Sequence, residues 1–155
     1  VASDCGDEAM QRGISIEVRP GAAREVFVNR QLVIQAITNL VVNALRYSEK
    51  GSSVELAAQA TVRDCIDFTV RDTGPGIAPE HLHRLFERFY RVDKGRSREM
   101  GGTGLGLAIV KHVAQVHGGT VEVESTVGQG SMFAIRLPLM EPVESLGESV
   151  DQLDR

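Results

Sequence analysis

Apolar and polar residues alternate over Ile14-Ser15-Ile16-Glu17-Val18, as they do in a strand with one buried face. Pro20-Gly21 then marks a turn, and Glu25-Val26-Phe27-Val28 reads as a second strand. At residues 30–47 the period changes. At about 100° per residue, Val33, Ile34, Ile37, Leu40, Val41, Ala44 and Leu45 fall on one arc, which predicts a long amphipathic helix with Asn29 as N-cap. Gln35, Asn39, Asn43 and Arg46 fall on the opposite arc, with Tyr47 at its edge. On its own such a polar stripe is a solvated face.

Beyond a turn at residues 48–52, strands are expected over 54–60 and 66–71, then a loop over 72–79 and a short helix over 80–85. Residues 86–101 are charged with few periodic apolar positions, and loops of that length often cover a binding site. The end of this segment, residues 92–101, is where disorder is expected. A second long helix is expected over 103–117, stopped by Gly118-Gly119. Residues 121–125 and 131–137 alternate around Gly128-Gln129-Gly130 as the arms of a hairpin. Residues 1–13 read as the remnant of an upstream linker, and residues 139–155 as an acidic, disordered tail. The order β-β-α-β-β-α-α-β-β predicts a two-layer α/β sandwich, with helices on one face of a mixed sheet spanning residues 14–138.

Composition narrows the function classes. A chain of 155 residues with 25% charged and 42% hydrophobic residues is an ordinary globular domain. Its net charge of -4 speaks against nucleic-acid binding, which leaves a basic footprint. Cys5 and Cys65 form no C-x-x-C pair, and His81, His83, His112 and His117 have no cysteine partners at zinc spacing. These residues hold no apolar run of transmembrane length and no signal peptide, so no direct membrane contact is expected of them.

Four short blocks remain, in one order: Asn39-Leu40-Val41-Val42-Asn43, Asp72-Thr73-Gly74-Pro75-Gly76, Phe86-Glu87-Arg88-Phe89 and Gly102-Thr103-Gly104-Leu105-Gly106-Leu107. Each alone is weak; Asp-Thr-Gly-Pro-Gly, for instance, is a common turn sequence. Together they resemble the N, G1, F and G2 boxes of the ATP-binding catalytic domain of sensor histidine kinases, in the GHKL superfamily. The resemblance spans residues 14 to 138. It implies a Bergerat-type fold, a mixed five-stranded sheet covered on one face by three helices, with ATP and Mg²⁺ as ligands.

Asn39 and Asn43 stand i,i+4 on one helix face, and neutral amide oxygens suit Mg²⁺, which keeps waters and shares the substrate's phosphates. The resemblance makes Asn43 the metal ligand and Asn39 a second metal or phosphate contact with a catalytic part. Arg46, where the family often has Lys, can reach a phosphate, and Tyr47 offers a ring beside the adenine. Asp72 can accept the exocyclic amine of adenine, Gly74 and Gly76 let the backbone approach the base, and Ile77 follows them in the implied site. Gly102, Thr103, Gly104, Leu105, Gly106 and Leu107 fit neither G-x-x-x-x-G-K-[ST] nor G-x-G-x-x-G. They form instead a glycine loop entering a helix N-terminus, whose free N–H groups favour phosphate oxygens. Phe86 and Phe89 resemble F-box anchors, with Phe89 also counted in the ATP site. Among Arg88, Arg91, Lys94, Arg96 and Arg98, Arg88 is expected to touch the γ-phosphate and act in transfer.

Two departures sharpen the expectation. Superfamily members that activate water or a serine hydroxyl carry Glu four residues before the metal-binding Asn, and here that place is Asn39, which is no general base. A neutral imidazole needs less help as a nucleophile, so Asn39 favours histidine transfer over a GHKL-type ATPase or an anti-sigma serine kinase. None of the four histidines is followed by an acidic residue, as the family's phosphoacceptor is. The chain is therefore expected to bind Mg·ATP without phosphorylating itself. The resemblance supplies the acceptor on a separate dimerisation domain, a cognate response regulator, and a homodimeric, membrane-anchored parent with this domain in the cytoplasm. A catalytically silent nucleotide-binding module is the remaining alternative.

Overall fold

The computed structural model describes residues 1–21, 26–61, 64–92 and 102–139. Five strands, β1 (Ser15–Val18), β2 (Ser53–Ala60), β3 (Cys65–Asp72), β4 (Thr120–Thr126) and β5 (Gly130–Pro138), form one mixed sheet in the order β1-β2-β3-β5-β4. β1 and β2 are parallel and every other pair is antiparallel. A parallel pair needs a crossover, and the connection between β1 and β2 contains the helix α2 (Arg30–Tyr47). The other helices among the described residues are α1 (Gly6–Arg12), α3 (Pro79–Leu82) and α4 (Gly106–Val116).

Register sorts the two faces of the sheet. Leu56, Val70, Phe133 and Val123 pair in one row, and Ala58, Phe68, Ile135 and Val121 in the next. With Val54, Ile66 and Leu137 they join one core with Leu40, Leu45, Val110 and Val113 of α2 and α4. The opposite face carries Glu55, Asp67, Arg71, Glu122 and Arg136. Arg136 spans it, donating to Asp67 Oδ1 and Oδ2 at 2.8 and 2.7 Å and to Glu122 at 2.9 Å. One face is covered by helices and the other is polar, which is the two-layer arrangement that the alternation implies.

At one end of the covered face the apolar rows stop. The last row reads Val54, Asp72, Ser131, Ser125 across β2, β3, β5 and β4, so a carboxylate and two hydroxyls lie where the core meets an opening.

α2 starts where its cap predicts. Asn29 Oδ1 accepts from the N–H groups of Gln31 and Leu32 at 3.1 and 3.2 Å, satisfying two otherwise orphaned donors. Its buried stripe is Val33, Ala36, Leu40, Val41, Ala44 and Leu45. Ile34 lies outside it at 38% exposure, and the small Ala36 takes the inward position instead.

Three further expectations are corrected, and one helix is added. Val26–Val28 forms no strand; Val26 and Val28 pack on the core while Phe27 faces out, so period-2 burial occurs here without a ladder partner. Glu25 lies outside the described residues. The helix expected over 80–85 stops at Leu82 and continues as turns, with Arg84 N–H bound to His81 O and Glu87 N–H to Arg84 O. α4 begins at Gly106 rather than residue 103, because Gly104 sits at φ +72, outside helical geometry. α1 was not marked by periodicity; it places Ala9 in the core behind Cys5 and ends at Gly13 in the left-handed region. The expectations for Lys94, Arg96, Arg98, residues 93–101 and the tail beyond Leu139 lie outside the described residues.

Candidate functional site

The opening beyond the Asp72 row is a cavity of about 360 Å³, within the range of small-molecule sites. One wall is α2, which supplies Asn39, Val42, Asn43, Arg46 and Tyr47. The stripe that reads as a solvated face in the sequence is therefore, from Asn39 onward, the wall of a site; Gln35 remains exposed.

Asp72, Ser131 and Phe133 form the floor. Asp72 is 7% exposed. Its Oδ1 accepts from the Gly74 N–H at 2.8 Å. Burial pushes its carboxyl above the usual range, and the backbone N–H groups of Gly74 and Ser131 offset this in part. Gly74 does not line the cavity, yet a Cβ there would meet Asp72 Oδ1 at 2.7 Å, so the short approach of its N–H requires glycine.

The loop after Asp72 is fastened to the β4–β5 hairpin. Gly128 N–H donates to Pro75 O at 2.7 Å, and Ile77 N–H donates to Ser125 Oγ at 2.8 Å. Gly76, at φ +71, passes so close that a Cβ would lie 2.1 Å from the Thr126 carbonyl oxygen. Gly76 and Ile77 both line the cavity.

At the other end stand Gly102, Thr103, Gly104, Gly106 and Leu107, with the first N–H groups of α4; Leu105 is the one member of that block that does not line the cavity. Asn39 Nδ2 donates to Gly106 O at 3.4 Å, joining the α2 block to the glycine block and leaving Oδ1 for a cation or phosphate-bound water. Asn43 makes no side-chain hydrogen bond among the described residues. No group of three His, Cys, Asp or Glu side chains that could hold a metal occurs among the described residues. Two amides without a carboxylate cluster fit a Mg²⁺ ion that arrives with phosphates and waters as its main ligands.

The F-box expectations divide. Phe86 does anchor: its ring meets Phe133 edge-on at 6.3 Å. Phe89 does not; it is 70% exposed, lines no part of the cavity, and adopts φ +65. That left-handed residue turns the chain, so Arg88 stays exposed outside the cavity while Tyr90 and Arg91 enter its lining. Arg91 Nε and Nη2 are buried with no partner among the described residues. In the sequence Arg88 ranks above Arg91, and nothing local assigns Val42, Leu85, Val92, Ser131 or Phe133 to the site. Only the alternation of β5 hinted at the last two.

Three of the four blocks thus line one cavity, and the Phe86–Phe89 block lies between the lining residues Leu85 and Tyr90. Residues 28–141 match the model of the histidine kinase-, DNA gyrase B- and HSP90-like ATPase family, which is most of the chain. The chain belongs to that family. Within it, the sensor-like histidine kinase SenX3 of Mycobacterium tuberculosis is 49% identical over 127 residues, covering 81% of this chain and 31% of its own length. The chain spans about a third of the length of the curated relatives it matches. Among solved structures, full-length ShkA in complex with AMPPNP superposes with a TM-score of 0.76 at 32% identity, over 88% of this chain and 28% of that one. The mycobacterial sensor histidine kinase MprB gives 0.73 at 30% identity, over 88% and 89%. These relatives bear out the α/β fold and the ATP-binding histidine-kinase type of the domain.

Proposed function

We propose that this domain delivers the γ-phosphoryl group of ATP to a histidine on a separate dimerisation domain, as the catalytic part of a sensor histidine kinase. The observation that carries this reading is that Asp72 is the one carboxylate lining the cavity among the described residues. Asp72 is committed to the floor, and the place where a general base would stand is the amide of Asn39. A site built this way suits a nucleophile that needs no deprotonation, and imidazole is one.

In this reading Asp72 accepts the exocyclic amine of adenine, and Gly76 and Ile77 bring backbone against the base. Tyr47 flanks it. Arg46, Arg91 and the N-terminus of α4 receive the phosphates, each supplying donors where negative charge is held. Arg91 takes the role expected of Arg88. Asn43, with Asn39, would hold Mg²⁺, which when bound neutralises phosphate charge. These residues orient the triphosphate and keep water from it; the acceptor arrives from outside.

The partners follow from the same reading: a dimerisation and phosphoacceptor domain, a response regulator, and a homodimeric parent. No helix among the described residues is long and apolar enough to cross a membrane. We place the domain on the cytoplasmic side of a membrane-anchored parent, as sensor kinase relatives suggest. The test is transfer from γ-labelled ATP in the presence of an acceptor helical-hairpin domain added in trans. Acid-labile, base-stable label on that domain, with none on this chain alone, is the expected result. Acid-stable label on a serine, or release of phosphate without transfer, would overturn it.

A further inference from the structure

Arg91 is aimed into the cavity from a segment without regular secondary structure, so something other than a helix or strand fixes its direction. The two residues before it are each tied down. Phe89 N–H donates to Gly104 O at 2.9 Å, which fastens the chain to the glycine block. Tyr90 is held by its side chain: its Oη lies 2.7 Å from His81 Nδ1 on α3. The Arg84 guanidinium carbon sits 4.3 Å from the centroid of the Tyr90 ring, and Arg84 is itself held by Glu87 at 3.1 Å. His81 does not line the cavity, and it joins no metal-binding cluster among the described residues. Among the described residues it is joined to the site through Tyr90.

We propose that His81 is a positioning residue: its hydrogen bond to Tyr90, on the ring that Arg84 covers, sets the backbone direction that sends Arg91 to the phosphates. This rests on the nucleotide reading above. A stack alone would hold the Tyr90 ring in a plane but allow it to slide. The hydrogen bond fixes its end, and with Phe89 fastened one residue earlier the path to Arg91 is determined at two points. Energy spent in advance on direction is not lost again when the phosphates arrive.

The test compares AMPPNP with Mg²⁺ against adenosine, which lacks the phosphates, on the intact chain. His81→Phe and Tyr90→Phe each keep a ring of similar size and remove the hydrogen bond. Each should weaken AMPPNP about three- to tenfold, the worth of one net hydrogen bond. The double variant should weaken it no further, the signature of one shared interaction. In an Arg91→Ala background His81→Phe should be silent. His81→Asn, which keeps a polar atom near the Nδ1 position, should recover part of the loss, and His81→Phe should leave adenosine affinity unchanged. Losses that multiply in the double variant, or adenosine affinity falling in step, would overturn the proposal. Intact AMPPNP binding in His81→Phe would overturn it alone. Failure of the wild-type chain to bind either ligand would overturn the nucleotide reading, and this proposal with it.

Discussion

At the floor of the cavity every fastening is backbone or a short side chain: Gly74 N–H on Asp72, Gly128 N–H on Pro75, Ser125 Oγ on Ile77, and Thr126 O packed against Gly76. At the end proposed to receive the phosphates, the groups that face the cavity are long or rotatable: Asn39, Asn43, Arg46 and Arg91, and among the described residues Asn39 alone of these is tied across to the glycine block. The first end is fastened in one geometry, which in the proposed reading lets it discriminate between bases. The second can follow charge as it moves from one oxygen to another. The proposed reading thus assigns shape selectivity and charge handling to different ends of one site, and the two should respond differently to substitution.

Gly76→Ala should give the largest effect. It sets a Cβ against backbone at a left-handed residue, and a loss of roughly 2–5 kcal/mol in stability is expected from conformation plus overlap. Thermal or urea unfolding measures it, and a loss under 1 kcal/mol would mean that the floor is not rigid. Next, Asp72→Asn should cost roughly 10- to 150-fold in affinity for an ATP analogue, the range for a hydrogen bond to a charged group. Its fold should remain intact. Arg91→Ala should weaken triphosphate binding about tenfold and Arg88→Ala by less than twofold. Equal effects in a competition assay would mean that the turn at Phe89 does not select between them.

The smallest effect concerns stability and pH. The Asp72 carboxyl is raised in the folded chain, so the native state holds that proton at pH values where the unfolded chain has released it. Stability from this group is therefore present below its ordinary value and lost as pH rises through the raised one. The stability of the wild type relative to Asp72→Asn should improve on acidification across that window. No change, or the opposite slope, would place the carboxylate in a more polar setting than its 7% exposure implies.

What the sequence made legible depended on whether two signals agreed. For α2 the apolar period and the Asn29 cap coincide, and its start, its length and every wall residue but Val42 were readable. The hairpin β4–β5 was readable for the same reason, alternation bounded by glycines. α1 failed because seven residues with one buried alanine carry almost no period. Val26–Val28 failed the other way, since alternation reports one-sided burial and cannot report whether a neighbouring strand exists. The presence of Arg91 rather than Arg88 in the cavity lining has the most instructive cause. A phenylalanine at φ +65 redirects the chain, and nothing in composition announces a left-handed non-glycine residue. Alternation along β5 hinted at the floor residues Ser131 and Phe133, but their place beside Asp72 comes from register, which no local pattern contains.

The most direct test of the central claim, that Asp72 at a rigid floor reads the base, is calorimetric titration of Mg²⁺ complexes of AMPPNP and of its guanine counterpart into the chain. Saturable one-site binding of the adenine nucleotide and little or none of the guanine one is expected, with the difference erased in Asp72→Asn. Equal affinity for the two in the wild-type chain, or a preference that survives Asp72→Asn, would contradict it.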